Sequence, residues 1–103
     1  MVRFTVLYKQ PQDIAAFEAH YRNVHIPLAK KLPGLRRYTL SRKVKAIRGE
    51  PYYLFAELDW DIWPLSKPRS SHPDGQATAK DVTDHLERMS PDIRSLVYEL
   101  EDV

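Results

Sequence analysis

Tyr52-Tyr53-Leu54-Phe55-Ala56-Glu57-Leu58-Asp59-Trp60 is the stretch that decides the fold. Alternating apolar and charged positions mark it as a strand. Read with a period of two, Tyr52, Leu54, Ala56, Leu58 and Trp60 share one face, and Tyr53 and Phe55 share the other. A strand with large apolar side chains on both faces needs a cover on each. Helices can supply one cover, and a second copy of the chain, related by a two-fold axis, is the cheapest source of the other.

Working outward, Val2 to Tyr8 has the same alternation, with Phe4, Val6 and Tyr8 opposite Arg3, Thr5 and Leu7. After Gln10-Pro11-Gln12 the period becomes helical, with Asp13 placed to cap the first turn. At about 100° per residue, Ile14, Phe17, Tyr21, Val24 and Leu28 fall on one stripe. Pro27 cannot donate to the Asn23 carbonyl, so the helix is expected to kink or end near His25, a short piece continuing to Leu32. Pro33-Gly34 closes it, and Leu35 to Val44 reads as a second strand. Over 61–71, Asp61 can cap a helical segment with Pro64 in its first turn, but Pro68 lies too deep in it to be harmless. Ser71 and Asp74 form a capping pair for a helix running to about Met89, which Ser90-Pro91 stops; Ile93 to Leu100 is the last strand. The order βαββαβ is the split βαβ arrangement, an α+β ferredoxin-like fold with a four-stranded antiparallel sheet. The 103 residues make one domain, 1–103.

Composition narrows the chemistry. The chain contains no cysteine, which removes disulfides, thiolate catalysis and thiolate metal sites. Sixteen basic and fourteen acidic side chains leave a net charge of +2, too balanced to indicate nucleic-acid or membrane binding. No stretch reaches the roughly 20 apolar residues of a membrane span, and the N-terminus lacks a signal-peptide pattern; a cytoplasmic location is expected. The groups that titrate near neutrality are His20, His25, His72 and His85. On a straight helix His20 and His25 lie about 140° apart and cannot share a metal, and no His-Glu-x-x-His motif is present. No metal and no cofactor are therefore expected. His25 sits one turn after Tyr21 at the proline break, where a cleft between helix and sheet can open. The helix end favours its protonated form and burial opposes it. Tyr8, Tyr38 and Tyr53 are strand tyrosines able to offer hydroxyls.

His20-Tyr21-Arg22-Asn23-Val24-His25-Ile26-Pro27-Leu28 resembles the His-Tyr-x-x-x-His-x-Pro-Leu signature of the EthD family. Pro33-Gly34-Leu35-Arg36-Arg37-Tyr38, the Tyr52–Leu58 strand and Pro73-Asp74-Gly75-Gln76-Ala77 resemble the segments that follow it. The resemblance implies a dimeric α+β barrel, two sheets closing face to face as a homodimer. The family takes its name from ethyl tert-butyl ether degradation, and related barrels include isomerases, cyclases and cofactor-free monooxygenases. Fold kinship does not carry a reaction with it. The chain departs from the pattern at His72, where a capping serine is usual, and at Pro64, Ser66, Pro68 and Ser70, which replace an apolar stripe and imply a more open pocket.

The leading expectation is a small-molecule enzyme or binder acting on a hydrophobic, oxygenated or aromatic compound by cofactor-free acid–base chemistry. Isomerase, cyclase, dehydratase or decarboxylase reactions fit, and cofactor-free monooxygenation stands next. His25 would move the proton and Tyr38 would donate to the developing oxyanion, while His20, Tyr21, Tyr8 and Phe55 would contact the ligand. The alternatives are a non-catalytic dimerising accessory protein and an RNA-binding module. The second shares the topology but lacks the Gly-Phe-Gly-Phe pattern on its third strand.

Overall fold

A computed structural model describes residues 1–62 and 73–103. The strands are β1 (Val2–Tyr8), β2 (Arg37–Leu40), β3 (Leu54–Trp60) and β4 (Arg94–Glu99). They form one sheet in the order β2-β3-β1-β4, with β1–β3, β1–β4 and β2–β3 all antiparallel. The first helical layer is α1 (Ile14–His20), a π turn at Tyr21–His25 and α2 (Ile26–Ala29). The second is α3 (Pro73–Asp81), a π turn at Val82–Leu86 and α4 (Glu87–Met89). This is the α+β, ferredoxin-like arrangement expected from the alternation of strand and helix periods. Among the described residues no helix is long and apolar enough to cross a membrane.

Asp13 caps α1 as expected, its carboxylate accepting from the Ala16 amide at 3.0 Å. The stripe does not run as a straight helix would carry it. Phe17, Tyr21, His25 and Ala29 are buried, whereas Ile14 and Val24 are about two-fifths exposed. The cause is the π turn, whose i→i+5 bonding inserts a residue and rotates the following face. His25 thereby takes the inward place that a 100° step gives to Val24. The helix does not end at His25; Pro27 sits in the first turn of α2, where its missing N–H costs little.

β2 is shorter than the expected Leu35–Val44. The Phe55 amide donates to the Ser41 side chain at 2.9 Å, and Lys43 has a φ of 48°, so the backbone ladder stops and the chain turns away. The alternation in the third strand begins only at Leu54. Tyr53 turns toward the helices, its ring 6.0 Å from Phe17 and its hydroxyl donating to Glu18 at 2.5 Å, while Tyr52 packs edge-on against Phe55. The two tyrosines have thus exchanged the faces that strict alternation assigns them. From Leu54 onward the pattern holds, with Leu54, Ala56, Leu58 and Trp60 all buried. The expected segment over 61–71 lies outside the described residues from 63 onward, as do His72 and the Ser71 end of the expected cap.

The core lies between the sheet and the helices. Val6, Tyr8, Phe17, Tyr21, Ala29, Leu54, Ala56, Leu58, Trp60 and Leu86 form one cluster. Each fully buried side chain the size of Phe17 or Leu86 contributes roughly 1.5–3 kcal/mol of transfer free energy. Polar clips fix the ends: the Trp60 indole donates to the Pro33 carbonyl at 3.0 Å, and the buried Ser90 hydroxyl donates to the Lys9 carbonyl at 2.6 Å. Gly34, at φ 75°, makes the turn that brings this carbonyl to Trp60. Among the described residues no helix covers the opposite face of the sheet. Arg3 bonds both oxygens of Asp59 there, at 2.8 and 3.1 Å, and Thr5 shares a 2.9 Å hydrogen bond with Tyr98.

Candidate functional site

A cavity of about 320 Å³ opens between the helices and the covered face of the sheet. The sheet supplies Phe4, Val6, Tyr8, Tyr38, Ala56, Leu58, Trp60 and Ser95 to its lining. Tyr21, His25, Ala29 and Leu32 come from the first helical layer and its end, and Gly75, Thr78, Ala79, Val82 and Thr83 from the second. Its walls are mainly apolar, with a few polar groups converging, the usual composition of a small-molecule pocket.

Among the described residues His25 is the histidine at the cavity wall, and it is only 5% exposed. Its Nδ1 lies 2.9 Å from Asp81 Oδ2, and the other carboxylate oxygen lies 2.7 Å from His20 Nε2. A carboxylate facing Nδ1 holds the proton there, which leaves Nε2 as an acceptor. No other described residue bonds His25, so Nε2 keeps its lone pair for the cavity. Burial lowers the His25 pKa below the ordinary 6.5, against the upward pull of Asp81. At neutral pH the ring is therefore a neutral, oriented base.

The second polar feature is a hydroxyl pair. Tyr21 and Tyr38 share a 2.6 Å hydrogen bond, and Tyr8 packs edge-on against Tyr21 with ring centroids 5.6 Å apart. Tyr21 also bonds the Tyr8 hydroxyl, so two bonds among three hydroxyls leave one further O–H to donate. Burial raises the pKa of Tyr8, Tyr21 and Tyr38, so all three stay protonated in any physiological range. The Tyr21 ring lies 5.1 Å from the His25 ring, placing base and hydroxyls at one end of the cavity.

Of the residues expected at a ligand, His25, Tyr38, Tyr21 and Tyr8 come together in this lining. His20 stands one step behind the wall and reaches it through Asp81. The expectation for Phe55 is corrected: it lies on the open face, beside Thr39, Ser41, Val44 and Glu57, because it alternates with the inward-facing Leu54 and Ala56. The separation expected for the two histidines is corrected too. Residues five apart diverge on an α-helix, but a π turn returns them toward one side, and Asp81 meets both. Asp81 itself escaped sequence reading. It is buried, yet in the sequence it is one carboxylate among several on a polar helix. Among the described residues no group of His, Asp and Glu is arranged to hold a metal ion.

The EthD domain model matches residues 9–88, which include α1 through most of the second helical layer. An uncharacterised 11.0 kDa protein from the thcB–thcC intergenic region of Rhodococcus erythropolis is 33% identical over 84 residues, covering 80% of this chain and 81% of that one. An ethyl tert-butyl ether degradation (EthD) family protein from Bacillus halodurans superposes with a TM-score of 0.81 at 32% identity, covering 98% of this chain and 99% of that one. At the level of fold alone, SnoaB, a cofactor-independent oxygenase from Streptomyces nogalater, superposes with a TM-score of 0.65 at 19% identity, covering 99% and 94%.

Proposed function

The chain belongs to the EthD family, and from that premise we propose that it binds a hydrophobic oxygenated or aromatic compound in the helix–sheet cavity and moves a proton on it. The observation that carries this reading is His25: its Nδ1 is held by a buried carboxylate while its Nε2 faces an apolar cavity. A neutral imidazole so fixed removes a proton from a phenol, an enol or a carbon next to a carbonyl. The hydroxyl proton left over in the Tyr8–Tyr21–Tyr38 cluster then stabilises the charge that develops on oxygen, strongly because little water reaches it. Isomerisation, cyclisation, dehydration and decarboxylation all use these two moves. The cofactor-independent oxygenase among the fold's neighbours makes oxygenation of a phenolic substrate the next reading, since it too begins with removal of a proton.

The working form is a homodimer, in which the open sheet face of one copy covers that of another. Leu96 and Tyr98 are about half exposed on that face, while Arg3, Glu57 and Asp59 are already paired with one another. A cytoplasmic small-molecule pathway, degradative or biosynthetic, is the setting that fits.

A nitrophenol tests the site, because its colour reports loss of its proton. The wild-type protein should bind it and shift its absorption toward the phenolate at a pH where the free compound is protonated. His25→Gln, whose amide still donates to Asp81, should abolish the shift. Equal phenolate formation by both proteins would reject His25 as the base.

A further inference from the structure

Asp81 divides its two oxygens between two imidazoles, and the four groups form a line from the cavity to water. His25 is 5% exposed and Asp81 6%, the His20 side chain is 17% exposed, and the exposed His85 lies with its ring centroid 4.7 Å from that of His20. His25 and His20 stand at the two ends of one π turn, and Asp81 immediately precedes the other. A carboxylate is an acceptor only, so each imidazole must present a proton to it, and each is left with its second nitrogen pointing away. The His25 ring lines the cavity, and the partly exposed His20 side chain reaches solvent.

We propose that His20, Asp81 and His25 hold one shared positive charge, so that a proton taken up at His25 Nε2 in the cavity is matched by a proton released at His20 to water. This rests on the reading of His25 as the base. The balance closes without a proton crossing the carboxylate. The substrate X–H bond breaks, its proton forms the Nε2–H bond of His25, and its electron pair stays on X. His20 gives its outward proton to water, and Asp81 remains ionised throughout. The reverse exchange resets the site when product is protonated. Single-charge sharing follows from proximity, because two imidazolium rings on one buried carboxylate leave one charge uncompensated.

The groups facing this unit are few. Asp81 and His85 come from the second helical layer, Tyr21 from the same π turn, and Tyr8 and Tyr38 from the sheet. Lys80 and Asp84, on the exposed side of the second layer, pair with each other at 3.8 Å. The charge on His20 is also among the influences that lower the His25 pKa, after burial. His20 and Asp81 act here as positioning and charge-balancing residues; only His25 touches the substrate.

Imidazole NMR titration of the full chain tests the coupling without any ligand. In the wild-type protein His20 and His25 should titrate in two shared steps, each visible at both rings. In His20→Gln the His25 curve should collapse to one step and move to higher pH, because the charge that disfavours its protonation is gone. Independent single-step curves in the wild-type protein, or an unmoved His25 curve in the folded variant, would overturn the proposal. The wild-type curves decide even if His20→Gln does not fold. Coupled curves with no phenolate shift on nitrophenol binding would sink the proposed base and leave the shared charge standing; the converse result would do the opposite.

Discussion

The covered face of the sheet sets Tyr8, Tyr38, Leu58 and Trp60 against two helical layers, whereas the open face sets Leu7, Phe55, Leu96 and Tyr98 among Arg3, Glu57 and Asp59. Both faces mix apolar bulk with polar groups. On the covered face the polar groups are bonded inward, and one acceptor, His25 Nε2, remains for a cavity. On the open face they are bonded sideways, Arg3 to Asp59 and Thr5 to Tyr98, which leaves the apolar groups free to meet another surface. One sheet thus separates a face suited to a small molecule from a face suited to a second copy of the chain.

This division predicts which substitutions act where. The largest effect belongs to His25→Gln, which should lower proton abstraction, read as turnover or phenolate formation, by about 10²–10⁴-fold while leaving the dimer intact. A parallel loss of dimer by sedimentation would break the division. Next is Leu96→Glu, which places like charges on two facing sheets at a cost of several kcal/mol. The wild-type protein should sediment at about 24 kDa, twice the 12.1 kDa chain, and the variant as the monomer with nitrophenol binding retained. A monomeric wild-type protein would remove the second copy from the account.

Smaller is Asp81→Ala, which strips the partner from buried His25 and from His20 and should cost about 1–3 kcal/mol by denaturant unfolding. Smallest is a pH effect. The folded pKa of His25 is lowered by burial, so the unfolded chain binds the proton more readily. Its contribution is complete above the unfolded value of about 6.5 and is lost as pH falls through the folded value. The melting temperature should therefore decline as the pH drops below about 6.5, and His25→Gln should flatten that decline. Asp59, held low by the Arg3 hydrogen bonds, is also stabilising above its unfolded value of 3.8 and loses that contribution only at lower pH, so the two windows separate.

The succession of strands and helices along the chain, the cap at Asp13 and the faces of β1 and of β3 from Leu54 were legible because each rests on a local period or a local hydrogen bond. Three features were not. The exchange of Tyr52 and Tyr53 depends on Phe17 and Glu18, far away in the chain, pulling one ring across. The inward turn of His25 depends on a π turn, and nothing in a 100° projection announces where an extra residue enters. Asp81 becomes a partner only when the second helical layer lies against the first. The family signature named both histidines, but the carboxylate that relates them is a tertiary fact.

The tautomer of His25 tests the central claim most directly, and long-range proton–nitrogen correlation at neutral pH reads it. The account predicts a protonated Nδ1 and a bare Nε2, with the Nε2 resonance displaced when a nitrophenol is added. A protonated Nε2 that ignores the nitrophenol would contradict it.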